Sequence, residues 1–166
     1  AAFTALNDHL QDAYERLSTR QRIKLGNVFV PIPRLEGEDL EEKIFTWEFG
    51  EPTETLEIAL PISHKRFRHA QQEQRLPSTE WVHYVIAESP ELNYLAACFL
   101  NIFLQHPDWN GYEQTSAILA FVQQGISYAY DEDTTPQIEW PRYPIETLQE
   151  GIGDCEDVAI LTAAVM

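Results

Sequence analysis

Every second residue is apolar in two neighbouring segments, 44–49 and 55–60, which is the pattern of strands with one buried face. The apolar positions are Phe45, Trp47 and Phe49 in the first segment and Leu56, Ile58 and Leu60 in the second. The sequence between the segments, Gly50-Glu51-Pro52-Thr53, is typical of a turn. The pattern therefore predicts a β-hairpin that ends at Pro61.

Elsewhere the apolar residues mostly follow a helical period. This spacing predicts amphipathic helices over 6–22 and 113–126, and another that begins after Ser89 and stops at His106-Pro107. Residues 27–43 contain prolines, glycines and an acidic run and are predicted to form a loop. The apolar run 81–86 predicts a short strand.

The end of the chain combines a loop with an unusually apolar helix. Residues 127–153 are predicted to form a loop, and the residues after it, 158–165, are apolar almost all round. Such a helix is expected to be buried at the centre of its domain. Asp154 is a candidate N-cap, Asp157 favours the positive end of the helix dipole, and Gly153 lets the backbone turn sharply into the helix.

Composition limits the classes of protein that fit. The chain has 166 residues, 44% of them hydrophobic, which suffices for one domain with a core. We divide it into a region with a helix and a β-hairpin, 1–86, and a helical region, 87–166. Acidic residues outnumber basic ones by 27 to 11, for a net charge of -16. This balance argues against nucleic acid as a partner, and no apolar run is long enough to span a membrane.

The two cysteines have different surroundings. Cys98 lies in the apolar stripe of a predicted helix and is expected to be a small buried hydrophobe. Cys155 stands at the start of the last helix, where the dipole stabilises a thiolate and the backbone N–H can donate to an oxyanion. Its neighbours Asp154 and Glu156 work in the opposite direction, because negative charge raises the pKa of a thiol.

Four interpretations of Cys155 arise from the residues alone. It is a nucleophile that needs a protonated imidazole nearby, or it is another small core residue. The acidic surroundings also suggest a metal site. However, in a calcium-binding EF-hand loop that began at Asp131, Pro136 would occupy the position that requires glycine. No metal site is predicted, and a redox role is disfavoured because no second cysteine lies close in the sequence.

A longer motif resembles the transglutaminase-like core of papain-fold cysteine enzymes, in particular their bacterial and archaeal members. The resemblance spans roughly 44–166 and is most specific where Cys155 follows glycine and aspartate. The residues that carry it are Tyr128…Asp131…Trp140-Pro-Arg-Tyr-Pro-Ile-Glu-Thr-Leu148…Gly151-Ile-Gly-Asp-Cys-Glu-Asp157. The resemblance implies an α+β fold with Cys155 as the nucleophile, on a central helix that packs against an antiparallel sheet.

The resemblance also implies partners for the cysteine that this sequence does not show. In the family a histidine and an aspartate follow the nucleophile on strands of the sheet. None of the histidines, His9, His64, His69, His83 and His106, lies at a matching position. We therefore expect an N-terminal fragment of a longer protein, inactive alone, with the core sheet beyond residue 166. Self-association or a second chain would then complete the core.

The remaining roles are also implied by the resemblance. Gln149 and Trp140 are candidate oxyanion donors, whereas Tyr143, Gly153, Asp154 and Asp157 support the loop and cap the helix. The expected function is that of a cysteine peptidase or amidase that acts on a peptide or protein through a thioester, without a cofactor. The alternative is a non-catalytic module that binds protein or cell-wall peptides. Location in the cytoplasm or in the cell envelope stays open.

Overall fold

A computed structural model describes residues 22–25, 28–33, 35, 39–87, 89–134 and 140–166. The fold is α+β, as predicted: the described residues form seven α-helices and three two-stranded sheets. The strands are β1 Arg22–Leu25, β2 Val28–Pro31, β3 Leu40–Phe49, β4 Glu54–Ser63, β5 Ser127–Tyr128 and β6 Ile152–Gly153. The helices are α1 His64–Gln72, α2 Val82–Val85, α3 Pro90–Gln105, α4 Gly111–Gly125, α5 Asp131–Thr134, α6 Pro144–Glu150 and α7 Cys155–Val165. None of the helices described combines the length and apolar character that crossing a bilayer requires.

The predicted hairpin is confirmed and is longer than the alternating pattern suggested. Strands β3 and β4 pair antiparallel, with Phe45 opposite Ile58 and Trp47 opposite Leu56. The prediction that Pro61 ends the hairpin is wrong, because Pro61 lies inside β4 opposite Glu42. A proline lacks the backbone N–H, and a strand with a partner on only one side can place that position at its open edge.

The buried face of this hairpin forms the core together with α3 and α4. The ring of Phe121 from α4 lies 5.2 Å from Trp47 and 5.3 Å from both Phe45 and Phe99, measured between ring centroids. The tilted and edge-on geometries are those that aromatic rings prefer. The predicted helices after Ser89 and over 113–126 are thus confirmed as the second layer of the core.

Three sequence predictions of local structure need correction. The loop predicted over 27–43 includes β2 and the start of β3, and the strand predicted over 81–86 is the short helix α2. The loop predicted over 127–153 includes β5, α5, α6 and β6. These elements are short and are held by tertiary contacts, so their periodicity is too brief to detect. The helix predicted over 6–22 lies outside the described residues except for Arg22, which begins β1.

The last helix begins at Cys155, as predicted, but it is not buried all round. Ile160, Leu161 and Val165 point into the core, whereas Ala159 and Ala163 are exposed. Cys155 belongs to the exposed side, because helix positions four residues apart share a face. The buried face packs against α2, α4 and α6, which fixes the helix without covering the thiol.

Candidate functional site

Cys155 is the first residue of α7, and its side chain is exposed. Its Sγ lies 3.2 Å from Oε2 of Glu156, which is itself buried. N–H groups in the first turn of a helix have no partner within the helix, so the Cys155 N–H is available to an external acceptor. An accessible sulfur is thus attached to a backbone that the core holds in place.

Carboxylates dominate the electrostatics of this thiol. The hydrogen bond and charge of Glu156 raise the pKa of Cys155 above its ordinary value, with smaller contributions from partial desolvation and from Asp154. Cys98 differs, because burial alone raises its pKa to about 12. Both thiols are therefore protonated at neutral pH, but only Cys155 is exposed to solvent.

Asp154 occupies the N-cap position of α7, as predicted from the sequence. Burial raises its pKa to about 6, assisted by a hydrogen bond to Glu156 and by the charge of Asp131. Its Oδ1 is buried and accepts no hydrogen bond among the described residues. The helix start therefore holds a carboxylate whose ionised form is unfavourable.

A buried arginine holds the loop against the start of α7. Arg142 Nη1 lies 2.6 Å from Oδ2 of Asp157 and 2.8 Å from Oδ1 of Asp131, and its Nε lies 2.9 Å from Oε2 of Glu150. Burial works to lower the pKa of Arg142, but the hydrogen bonds to Asp157 and Glu150 raise it overall. No role was predicted for Arg142 from the sequence, although it is the one Lys or Arg among the fourteen charged residues of 87–166.

Asp157 connects that arginine to the cysteine loop. Besides the ion pair, it accepts a 2.7 Å hydrogen bond from the Arg142 backbone N–H and a 3.3 Å bond from the Asp154 N–H. Burial raises the pKa of Asp157 to about 6, against the hydrogen bonds and charge of Arg142, which lower it. Asp157 thus lies where the sequence predicted a helix-capping carboxylate.

Gly153 fits between the loop and the helix because it has no side chain. A Cβ added there would lie 2.7 Å from Cβ of Asp157, which is closer than real atoms approach. Gly153 also pairs with Tyr128 in the parallel ladder between β6 and β5, and its carbonyl accepts a 3.0 Å hydrogen bond from the Ala129 N–H. This pairing brings Tyr128 close to Cys155, whose charge adds to partial desolvation in raising the pKa of Tyr128.

The other predicted side chains lie beside this framework. The guanidinium of Arg75 lies over Trp140, 4.3 Å from the ring centroid, and forms two hydrogen bonds of 2.6 and 2.8 Å with Glu146. Tyr143 packs on Tyr84, with ring centroids 4.4 Å apart. These contacts brace the segment that leads into α6.

Gln149 points to the hairpin. Its Nε2 donates a 3.0 Å hydrogen bond to Glu41, and its backbone carbonyl accepts one from Lys43. No hydrogen bond described joins Gln149 or the Trp140 indole to Cys155. The oxyanion roles of both residues stay predictions.

Three of the four described histidines have carboxylate partners away from the thiol. His64 pairs with Glu41, His69 with Glu73, and His106 with Glu54. His83 is exposed on α2, and His9 lies outside the described residues. No hydrogen bond or ion pair among the described residues joins an imidazole to the Cys155 sulfur.

Asp154, Cys155 and Glu156 also offer one ligand atom each within 4.8 Å of one another. A thiolate with two carboxylates can bind a divalent cation. Closeness to Glu156 is also the main cause of the raised pKa of Cys155, whereas burial is the main cause for Asp154.

With this geometry in place, comparison with known families becomes informative. Residues 100–166 match the family model described as transglutaminase-like domain. This part of the chain is similar to transglutaminase-like domains. The match begins within α3 and includes every later element, so the Cys155 framework lies inside the matched region, whereas 44–99 lies outside it. No curated protein and no solved structure matches the chain.

Proposed function

We propose that Cys155 is the nucleophile of a thiol acyl-transfer reaction on a peptide or protein, as in a cysteine peptidase or amidase. The observation that carries the proposal is the exposed sulfur at the first residue of a helix whose other face is fixed in the core. The transglutaminase-like match over 100–166 supports the same reaction class. Rigid presentation of a reactive group is what nucleophilic catalysis requires.

The proposed reaction has two steps. The Cys155 thiolate attacks the carbonyl carbon, a C–S bond forms, and the C–N bond breaks as the leaving amine takes up a proton. Water then attacks the thioester, which releases the carboxylic acid and restores the thiol. The Cys155 N–H, at the positive end of α7, would stabilise the oxyanion in both steps.

Proton transfer in this reaction requires an acid–base group that is not among the described contacts of Cys155. Glu156 raises the pKa of Cys155, so the thiol requires a base to react at neutral pH. We propose that an imidazole fills this role, and that it comes from a histidine outside the described contacts of Cys155.

The alternative is a non-catalytic module that binds protein or cell-wall peptides. The raised pKa of Cys155 favours it, because a thiol without a base is a poor nucleophile. This alternative predicts peptide binding without any covalent acyl intermediate on Cys155.

An activated ester separates the two proposals. Loss of 4-nitrophenolate from 4-nitrophenyl acetate needs no protonation, so the ester tests the nucleophile without its acid–base partner. We expect mass spectrometry to locate one acetyl group on Cys155, removable by hydroxylamine, in the wild type and in Cys98→Ala but not in Cys155→Ala. Acetylation of lysines alone would overturn the proposed enzyme.

A further inference from the structure

Two exposed tyrosines stand beside the candidate nucleophile. Tyr128 and Tyr130 are 58% and 57% exposed, and their rings meet edge to face with centroids 5.3 Å apart. Strand β5 places Tyr128 opposite Gly153, two residues before Cys155. Partial desolvation raises the pKa of Tyr128, and the charge of Cys155 raises it further, since the two side chains lie close together. The two exposed rings are therefore positioned to contact a substrate that is bound at the sulfur.

The segment that follows Tyr130 along the chain is acidic. Glu132 and Asp133 follow directly in α5 and are exposed. Over residues 127–166 the one basic side chain is Arg142, which is buried against Asp131 and Asp157.

The basic residue Lys43 of the hairpin is also engaged. Lys43 reaches this side of the molecule from β3, but it donates to the Gln149 carbonyl and faces Glu41 and Glu150. The negative charge beside the tyrosines therefore has no exposed counter-charge among the contacts described.

We propose that Tyr128, Tyr130, Glu132 and Asp133 form a subsite for a cationic side chain, guanidinium or ammonium, of the peptide that Cys155 attacks. A cation gains from aromatic faces and from carboxylates at the same time. An apolar side chain gains only from the rings, and an anionic one is repelled. This inference rests on the proposed function and specifies its substrate class.

Two thiol-directed probes test whether the positive charge of a side chain alone speeds its reaction with Cys155. Chloroacetyl-arginine amide and chloroacetyl-citrulline amide have nearly the same shape, but only arginine is charged. In both, the Cys155 sulfur attacks the methylene carbon, the C–S bond forms as C–Cl breaks, chloride leaves, and the thiol proton goes to solvent. We expect the arginine probe to alkylate Cys155 about three- to tenfold faster at low ionic strength, with a preference that shrinks as salt is added.

Substitutions in the subsite test whether it causes the preference for the arginine probe. Tyr130→Ala and the double variant Glu132→Gln/Asp133→Asn should each reduce the arginine-to-citrulline rate ratio. Tyr112→Ala, an exposed tyrosine at the opposite end of α4, should leave the ratio unchanged. Because each ratio is measured within one variant, a general change in thiol reactivity cancels.

The outcomes separate this inference from the proposed function. Equal rates for the two probes, or a preference that none of the subsite variants reduces, would overturn the cationic subsite. Acetylation of Cys155 by the activated ester would in that case still support the nucleophile. A clear arginine preference with no acetylation of Cys155 would instead reject the enzyme and retain the binding site.

Discussion

Arg142 and Asp157 are joined twice: the guanidinium Nη1 lies 2.6 Å from Oδ2, and the Arg142 backbone N–H donates to Oδ1 across 2.7 Å. Both residues are almost fully buried. Because Asp157 is in the first turn of α7, this double contact fixes where the helix begins. It therefore also fixes where the Cys155 sulfur emerges.

Replacing Arg142 by methionine should destabilise the protein strongly. The substitution keeps the aliphatic volume but leaves Asp131 and Asp157 buried without their cation, which costs about 3–5 kcal/mol of unfolding free energy. Urea unfolding measures the loss. The control is Arg68→Met on the exposed face of α1, which should change stability by less than about 0.5 kcal/mol. Equal effects of the two substitutions would refute the role assigned to Arg142.

The close contact at Gly153 gives a matched pair of glycine substitutions. Gly153→Ala should cost about 1–3 kcal/mol, because its Cβ would overlap Asp157 and displace the first turn of α7. Gly111→Ala has open space around its Cβ at the start of α4 and should be neutral or stabilising by up to about 1 kcal/mol. Unfolding free energies from denaturant titration compare the two. If Gly153→Ala is as stable as the wild type, a Cβ at this position does not displace Asp157.

The raised pKa of Asp154 predicts the pH dependence of one substitution. The folded-state pKa of about 6 lies above the ordinary value of 3.8, so the wild type loses stability as the pH rises between these values. Asp154→Asn removes the buried charge and can still cap the helix. We expect its melting temperature to exceed that of the wild type by at least about 2 °C at pH 7.5, with the gain shrinking towards pH 4.

A control tests whether that gain is specific. Asp108→Asn removes the same charge from an exposed loop and should leave the melting temperature nearly unchanged at both pH values. A stabilisation by Asp154→Asn that is as large at pH 4 as at pH 7.5 would show that ionisation is not its cause.

Glu156 is the main influence on the ionisation of the Cys155 thiol. Glu156→Gln removes the charge 3.2 Å from the sulfur, so the pKa of Cys155 should fall towards its ordinary value. The alkylation rate at pH 7.5 should then rise roughly two- to tenfold, since the gain in thiolate exceeds the loss of intrinsic nucleophilicity. The pH profile of iodoacetamide labelling measures the pKa directly. Glu80→Gln, on an exposed turn, should leave the profile where it is.

The sequence predicted the elements that have long or distinctive patterns. The alternating faces of β3 and β4 and the helical spacing of α3 extend far enough to be recognised. The start of α7 was predicted at the right residue because glycine, a capping aspartate and an apolar run occur together. These signals are local, so one sequence suffices to detect them.

The framework around Cys155 was less predictable, because it depends on contacts between distant segments. Nothing near Arg75 in the sequence indicates that it lies on Trp140 and pairs with Glu146. Arg142 did carry a usable signal: a single basic residue among many carboxylates is expected to be paired. The pairing of Tyr128 with Gly153 was not detectable, since β5 and β6 have only two residues each.

Competitive alkylation of Cys155 and Cys98 in the same sample tests the central claim most directly. With substoichiometric iodoacetamide and peptide mapping at a series of pH values, Cys155 should be modified well before Cys98 at every pH below about 10, because its sulfur is exposed and Cys98 has a pKa of about 12. The rate at Cys155 should follow one deprotonation above the ordinary thiol value. If Cys155 reacts no faster than Cys98, its sulfur is not presented as a reagent and the proposed chemistry is wrong.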